Sequence, residues 1–288
     1  MYAVLAMGVY ITYSILDFPD LSVDGTMPFG AIVTGVLIIR GFNPWLCILI
    51  SFVLGAAAGA ITGILHVKFK IRDLLCGILT YTSLLTVNLV VISAGTNGMS
   101  VASFFNLPTI FNTFPATLIP EKTVGYSLRI LIMSFVIAVI AKIILDLYLK
   151  TKSGLLLRAT GDNAQYVTML AENSGKSKIL GLCIGNGLAA VAGSVIAQAK
   201  GSADTQMGVG MVVLGLASVI IGLSLFKRCN FMKATTMVIL GSIAYKACLS
   251  IALALGLPTN YLKLLMAVIF TVAIVSSRFS IKRSGSKC

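Results

Sequence analysis

Charge is what this sequence has least of. Lys, Arg, Asp and Glu together make up 11% of the 288 residues, against about 25% in an ordinary soluble domain. Hydrophobic residues make up 58%, and mean hydropathy is +1.00. A soluble fold of this length must face water with its outer shell, and it could not hide that much apolar surface. A soluble enzyme, a disordered chain and a secreted disulfide scaffold are therefore excluded, and an integral membrane protein remains. Histidine is reduced to His66. The six cysteines (Cys47, Cys76, Cys183, Cys229, Cys248, Cys288) contain no CxxC pair. Both facts argue against a zinc site or a disulfide framework, and no metal is expected. The chain opens Met-Tyr-Ala-Val-Leu with no basic stretch, so it does not read as a cleaved signal peptide.

What is present is a series of apolar runs. Nine lie near 1–16, 26–40, 44–65, 74–93, 126–149, 179–199, 209–226, 234–256 and 261–277. A span needs ~20 apolar residues, and the first two runs are short. All nine read as helices, because an open sheet edge in lipid leaves backbone groups unpaired. The expected fold is all-α, a polytopic membrane protein with about nine transmembrane helices. The stretch Asp17 to Gly25 is too polar for lipid and fits backbone held inside the protein.

Charge separates the connections into two sets. Loops 66–73, 150–178 and 227–233, with the tail from Arg278, carry fifteen of the 22 Lys and Arg. Loops 17–25, 94–123, 200–208 and 257–263 hold only Lys122, Lys200 and Lys263. The positive-inside rule makes the first set, and the C-terminus, cytoplasmic. Counting back through nine crossings puts Met1 outside. Either 26–40 does not fully cross, or an upstream helix is absent from this chain.

Two stretches repeat at an offset of 180: Asp24/Asp204, Met27/Met207, Gly30/Gly210 and Gly35/Gly215. Five crossings separate them, so the copies face opposite ways. That is an inverted repeat, of a kind found in many transporters with the substrate path between the halves. Five plus five helices would need ten, which again points to a first helix missing here. The candidate solute path takes Asp24, Met27, Asp204 and Met207 from the repeat. To these it adds the intramembrane polar residues Asn88, Asn186 and Lys246. Charge and hydrogen-bonding groups at membrane depth are costly and often functional, although polar side chains also hold helices together. Lys142 and Asp146, four apart, are expected to pair with each other.

Loop 150–178 carries the most pattern. Gly175-Lys176-Ser177 resembles the end of a P-loop, but the earlier glycine position is Leu170 and no strand precedes it, so ATP is not expected to bind here. Asp162 reads as an N-cap with Gln165 three residues on. Ala164, Val167, Leu170 and Ala171 share one face, and Gly175 reads as the stop. The spacing predicts a cytoplasmic helix over 162–173. It either lies on the lipid surface or docks its apolar stripe in a groove of a partner.

Three stretches carry a family resemblance. They are Leu21-Ser22-Val23-Asp24-Gly25, Arg158-Ala159-Thr160-Gly161-Asp162-Asn163-Ala164, and the run Gly208-Val209-Gly210 through Gly222. With them, almost the whole chain resembles the permeases of bacterial ATP-binding-cassette importers of the branched-chain amino acid/ribose type. It is most similar to the branch served by lipoprotein binding proteins for aromatic amino acids or uncharacterised solutes. The resemblance implies one permease domain over 1–288 in the bacterial plasma membrane. It implies a second permease copy or a homologue, cytoplasmic ATPase subunits that hold ATP and Mg, and an extracytoplasmic solute-binding lipoprotein. It places the coupling to the ATPase on Asp162, Ala164, Val167, Leu170 and Ala171. Permeases of this type usually carry an additional N-terminal helix.

The expected function is transport of a small organic solute, an amino acid or related metabolite in preference to a sugar. This chain would hold no cofactor and catalyse no covalent step. Two other classes compete. An ion-coupled secondary transporter also uses inverted repeats and broken helices, but it would need no docking helix. An intramembrane enzyme would want clustered catalytic residues in the spans, and one histidine with scattered carboxylates argues against it.

Overall fold

The computed structural model describes residues 1–113, 126–169, 172–226, 232–256, 261, 264–265 and 267–272. The apolar runs fold as helices. The first is α1 (Tyr2–Val9), continued by a π-helical stretch (Tyr10–Ile15). Then come α2 (Val23–Ile39), α3 (Pro44–Val67), α4 (Asp73–Gly95) and α5 (Tyr126–Tyr148). The basic connection holds α6 (Lys152–Asp162) and α7 (Ala164–Met169). The apolar series resumes with α8 (Ser174–Lys200), α9 (Met211–Leu225) and α10 (Ala234–Ala254). In the ninth run, 264–265 and 267–272 are helical. Among the described residues, six helices are long and apolar enough to cross a membrane, and two shorter apolar ones cover Tyr2–Ile15 and Val23–Ile39. Strands β1 (Val101–Ser103) and β2 (Ser202–Asp204) pair antiparallel and tie the two connections at one end.

Local chemistry sets the helix ends. Asn43 accepts the Trp45 N–H at 3.0 Å with Pro44 in the first turn, which starts α3. Asn173 accepts the Lys176 N–H at 3.2 Å and starts α8, which stops at Gly201 with φ +68°. The sequence assigned Asn173 and Gly175 to the end of the preceding helix; instead they open the next one.

Helix α8 is the mast of the bundle. Of its most apolar window 67% is buried, against 28–44% for the other five long helices. Small residues let its neighbours approach at backbone distance. Gly30 of α2 rests on the Ala190 carbonyl, Gly59 of α3 on the Leu182 carbonyl, and Gly193 of α8 on the Met27 carbonyl. Such faces are what close helix packing in lipid uses.

The contacts also give directions. Ser22 and Thr26 meet Asn186, and Thr34 meets Ser194, so α2 runs parallel to α8. Gly8 meets Leu188 and Leu16 meets Gly181, so α1 runs against α8. Gly222 meets Met237 while Gly241 meets Ser218, so α9 and α10 are antiparallel. Tyr2 meets Lys246 near the far end of α10, while Ser14 and Thr235 share one cavity near its start, so α10 runs against α1. Hence α2 and α9, the helices that come after the two polar breaks, point in opposite directions.

Two expectations from sequence are corrected here. The predicted helix 162–173 begins two residues later, as α7 from Ala164, and residue 162 belongs to the helix before it. Asp162 ends α6, and Asn163 leaves the helical region (φ −157°, ψ 96°). Its Oδ1 then accepts the N–H groups of Gln165 (3.0 Å) and Tyr166 (3.1 Å), so Asn163, not Asp162, caps α7. Leu170 and Ala171 lie outside the described residues. Asp146 does not pair with Lys142 along its own helix. Its carboxylate accepts from Lys233 Nζ at 3.1 Å and from the Thr235 hydroxyl at 2.6 Å. A tertiary partner at the start of α10 has displaced the neighbour one turn away.

Candidate functional site

The polar break before α2 is folded into the bundle against the middle of α8. Asp20 Oδ1 accepts the Ser22 N–H at 2.8 Å, and its Oδ2 accepts Asn186 Nδ2 at 2.7 Å. Asn186 Oδ1 in turn accepts from the hydroxyls of Ser22 (3.0 Å) and Thr26 (2.7 Å). All four residues are buried. Polar groups at this depth must be satisfied internally, and here two carboxylate oxygens and one amide do it for a whole helix start. One further rung, Thr34 with Ser194 (2.7 Å) and Ser51 (2.8 Å), continues the seam between α2, α8 and α3.

Asp24 sits in the first turn of α2, yet it caps another helix. Its Oδ1 accepts the Val212 N–H at 2.7 Å and its Oδ2 the Gly210 N–H at 3.2 Å. These are orphan donors at the start of α9, at the positive end of its dipole. Gly210 holds φ +86°, which a side-chained residue resists. Pro28 has no N–H to return to the Asp24 carbonyl one turn earlier. Gly208 packs against that carbonyl, where a Cβ would overlap it. The two opposed helices therefore meet start to start, joined by one carboxylate. Asn88 of α4 closes the junction by donating to the Gly25 carbonyl at 3.2 Å. Its buried Oδ1 has no hydrogen-bond partner among the described residues.

The other sequence-predicted positions are distributed around this junction. Met27 is fully buried beside it. Asp204 Oδ1 accepts the Gln206 N–H at 2.7 Å, and Met207 Sδ accepts the Asp204 N–H at 3.4 Å, so this pair shapes its own tight turn (Thr205–Gly208). Lys246 is held over the Tyr2 ring, 3.8 Å from its centroid, a cation–π contact between α10 and α1.

The helices after the two polar breaks are opposed, but the four matches at an offset of 180 do not mark equivalent positions. Asp204 behaves as Asp20 does, each accepting the N–H two residues on before a broken helix. Asp24 and Asp204 are therefore not equivalent. The Asp20/Asp204 pairing gives an offset of 184, under which the counterpart of Asp24 is Gly208, the residue it touches. Asp20, Ser22 and Thr26 were missed from sequence. Their signal was present in the run Asp20-Leu21-Ser22, the same Asp-x-polar start as Asp204-Thr205-Gln206.

At the basic end, Asp162 lines a cavity of about 620 Å³ with Tyr10, Ser14, Arg158, Lys150 and Lys233. Ala164 begins α7. Val167 is fully buried within the chain, whereas Tyr166 (57%) and Met169 (83%) are exposed. His66, at the same end of α3, bridges three elements. Its Nδ1 lies 2.9 Å from Asp73 Oδ1 and 3.0 Å from the Ile71 carbonyl, and Lys178 Nζ lies 3.1 Å from its Nε2.

Opposed half-helices meeting inside an all-helical membrane bundle are the architecture of a multi-pass transport protein. The chain belongs to the family of branched-chain amino acid transport system permease components, whose pattern matches residues 1–274. It is 40% identical over 287 residues to a tyrosine transport system permease protein of Clostridioides difficile (strain R20291), covering 99% of this chain and 91% of that one. It is 31% identical to an uncharacterised protein of Rickettsia prowazekii (strain Madrid E), covering 94% and 92%. A ribose import permease protein of Haemophilus influenzae (strain ATCC 51907 / DSM 11121 / KW20 / Rd) is 24% identical, covering 76% and 64%. No solved structure matches. The chain is thus a permease subunit of the ATP-binding-cassette importer class, a transport subunit and not a catalytic one.

Proposed function

We propose that this permease imports an amino acid, with an aromatic one such as tyrosine as the first solute to test. The observation that carries the reading is the Asp24 junction. A carboxylate that joins two opposed helix starts is a discrete contact, made or broken, and so suits a protein that alternates between two packings. The relative named for tyrosine transport supports the solute class. In this reading Asp24, Met27, Asn88 and Asn186 line the solute path, with Asp204, Met207 and Lys246 flanking it. The basic loops and the C-terminus face the cytoplasm. There α6 and α7 contact ATPase subunits that hold ATP and Mg, while the β1–β2 end faces the binding lipoprotein. Two copies of the permease assemble side by side.

The test is reconstitution in vesicles with a candidate ATPase and a candidate binding protein. ATP-dependent accumulation of radiolabelled tyrosine, competed by phenylalanine and not by ribose, is the expected outcome. Uptake by the permease alone under an ion gradient would favour a secondary transporter instead.

A further inference from the structure

In chain order the span that follows α6 and α7 is α8. The packing points elsewhere. Gly161, one residue before the end of α6, lies directly on the Ile15 carbonyl. A Cβ at position 161 would overlap that oxygen and come within 3.2 Å of Leu16 Cα. Ile15 is the last residue of the π-helical stretch, and Leu16 is 4% exposed. The Leu16 side chain fills the notch at Gly181 of α8 together with Leu157 of α6. Thr160 and Leu157 on the same face of α6 are buried too. The end of α1 is therefore clamped between α6 and α8, with backbone against backbone on the α6 side.

Four residues beyond Leu16 is Asp20, whose carboxylate holds Asn186 and the start of α2. The segment before Leu16 is π-helical, closed by wide turns such as Leu16 N–H to the Ile11 carbonyl (3.0 Å) and Phe18 N–H to the Thr12 carbonyl (2.9 Å). π-Turns are less favoured than α-turns and are frequent at functional sites. A displacement at Ile15 thus meets the π-helical stretch on one side and the buried Asp20 seam on the other.

We infer that Gly161 is a positioning residue for transport. It is the contact through which α6 and α7 move the end of α1, and through it the Asp20–Asn186 seam and the start of α2. The inference rests on the reading that α6 and α7 meet the ATPase. Glycine is required there because only a bare backbone admits the Ile15 carbonyl at that distance.

The experiment uses the assembled permease, ATPase and binding protein in vesicles, and reads three quantities on each sample: ATPase retained on the permease, ATP hydrolysed, and solute accumulated. Gly161→Ala is expected to retain the ATPase and hydrolyse ATP while solute moved per ATP falls at least tenfold. A Gly161→Ala complex with the wild-type ratio overturns the inference. A second arm does not depend on that variant folding. Ser14→Cys and Arg158→Cys, both lining the 620 Å³ cavity, are introduced in a background without the native cysteines and bridged by a short reducible bis-thiosulfonate. Bridging is expected to leave solute moved per ATP unchanged, because the two elements move as one. Loss of uptake on bridging, restored by reduction, would mean that they must separate during transport and also overturns the inference. If wild-type uptake proves independent of ATP, the importer reading fails, and it fails before either variant is compared.

Discussion

Asp24 shows how one side chain can serve an element to which it does not belong. Its two oxygens accept two N–H groups of α9, at 2.7 and 3.2 Å. Asp24→Ala leaves both donors partly buried and unpaired, a cost of roughly 1–3 kcal/mol each. Asp24→Asn keeps one acceptor oxygen and should lose about half as much. Thermal unfolding of the purified protein in detergent orders the three, wild type above Asn above Ala; identical midpoints would show that the junction does not hold the fold. Asn186→Leu is expected to destabilise more than Asp24→Asn, because it removes one hydrogen bond each from the buried Asp20 carboxylate and the Ser22 and Thr26 hydroxyls. From sequence, an acid beside a helix start was legible in Asp24. Its partner was not, because capping normally acts within one helix, and nothing in residues 24–30 announces a bond to residue 212. The same limit hid Asp146, whose real partners, Lys233 and Thr235, are more than eighty residues away.

At the scale of elements, α7 was legible as a short amphipathic helix but misplaced by its caps, and α6 was not legible. Asp162 and Asn163 are both good caps, and Asn173 serves equally well to end one helix or begin the next. Only packing selects Asn163 and gives Asn173 to α8. The choice moves the apolar face. Val167, expected to meet a partner, is fully buried, while Tyr166 and Met169 stand exposed. A Met side chain fully buried in a partner groove contributes about 1.5–3 kcal/mol. Tyr166→Asp with Met169→Asp should therefore weaken capture of the ATPase at least tenfold in a pull-down, with membrane insertion normal. Val167→Asp should instead reduce the yield of folded permease, since it buries a charge without a partner. Retention of the ATPase by the double variant would move the docking surface off α7.

For the whole molecule, two independent features agree on which connections lie together. One is the basic bias of loops 66–73, 150–178 and 227–233. The other is the β1–β2 pair, which sets Val101 opposite Asp204 and so brings the poorly charged connections 94–113 and 200–208 to one end. His66, from the opposite end of α3, meets Lys178 at the foot of α8 and Asp73 at the foot of α4, which fixes the basic end as a unit. Parity of crossings sufficed to read α2 and α9 as opposed helices, because direction depends only on counting spans. Register was not legible, because glycines recur too often in an apolar chain for four matches to choose 180 over 184. The topology has a direct check. Asn112 and Lys176 are at opposite ends of the bundle, and both are exposed. Single cysteines there, in a background lacking the native six, should react with a membrane-impermeant maleimide from opposite faces: Asn112→Cys in intact cells, and Lys176→Cys only in inverted vesicles. Labelling of both in intact cells would place the basic loops outside and reverse the face on which ATPase subunits could bind.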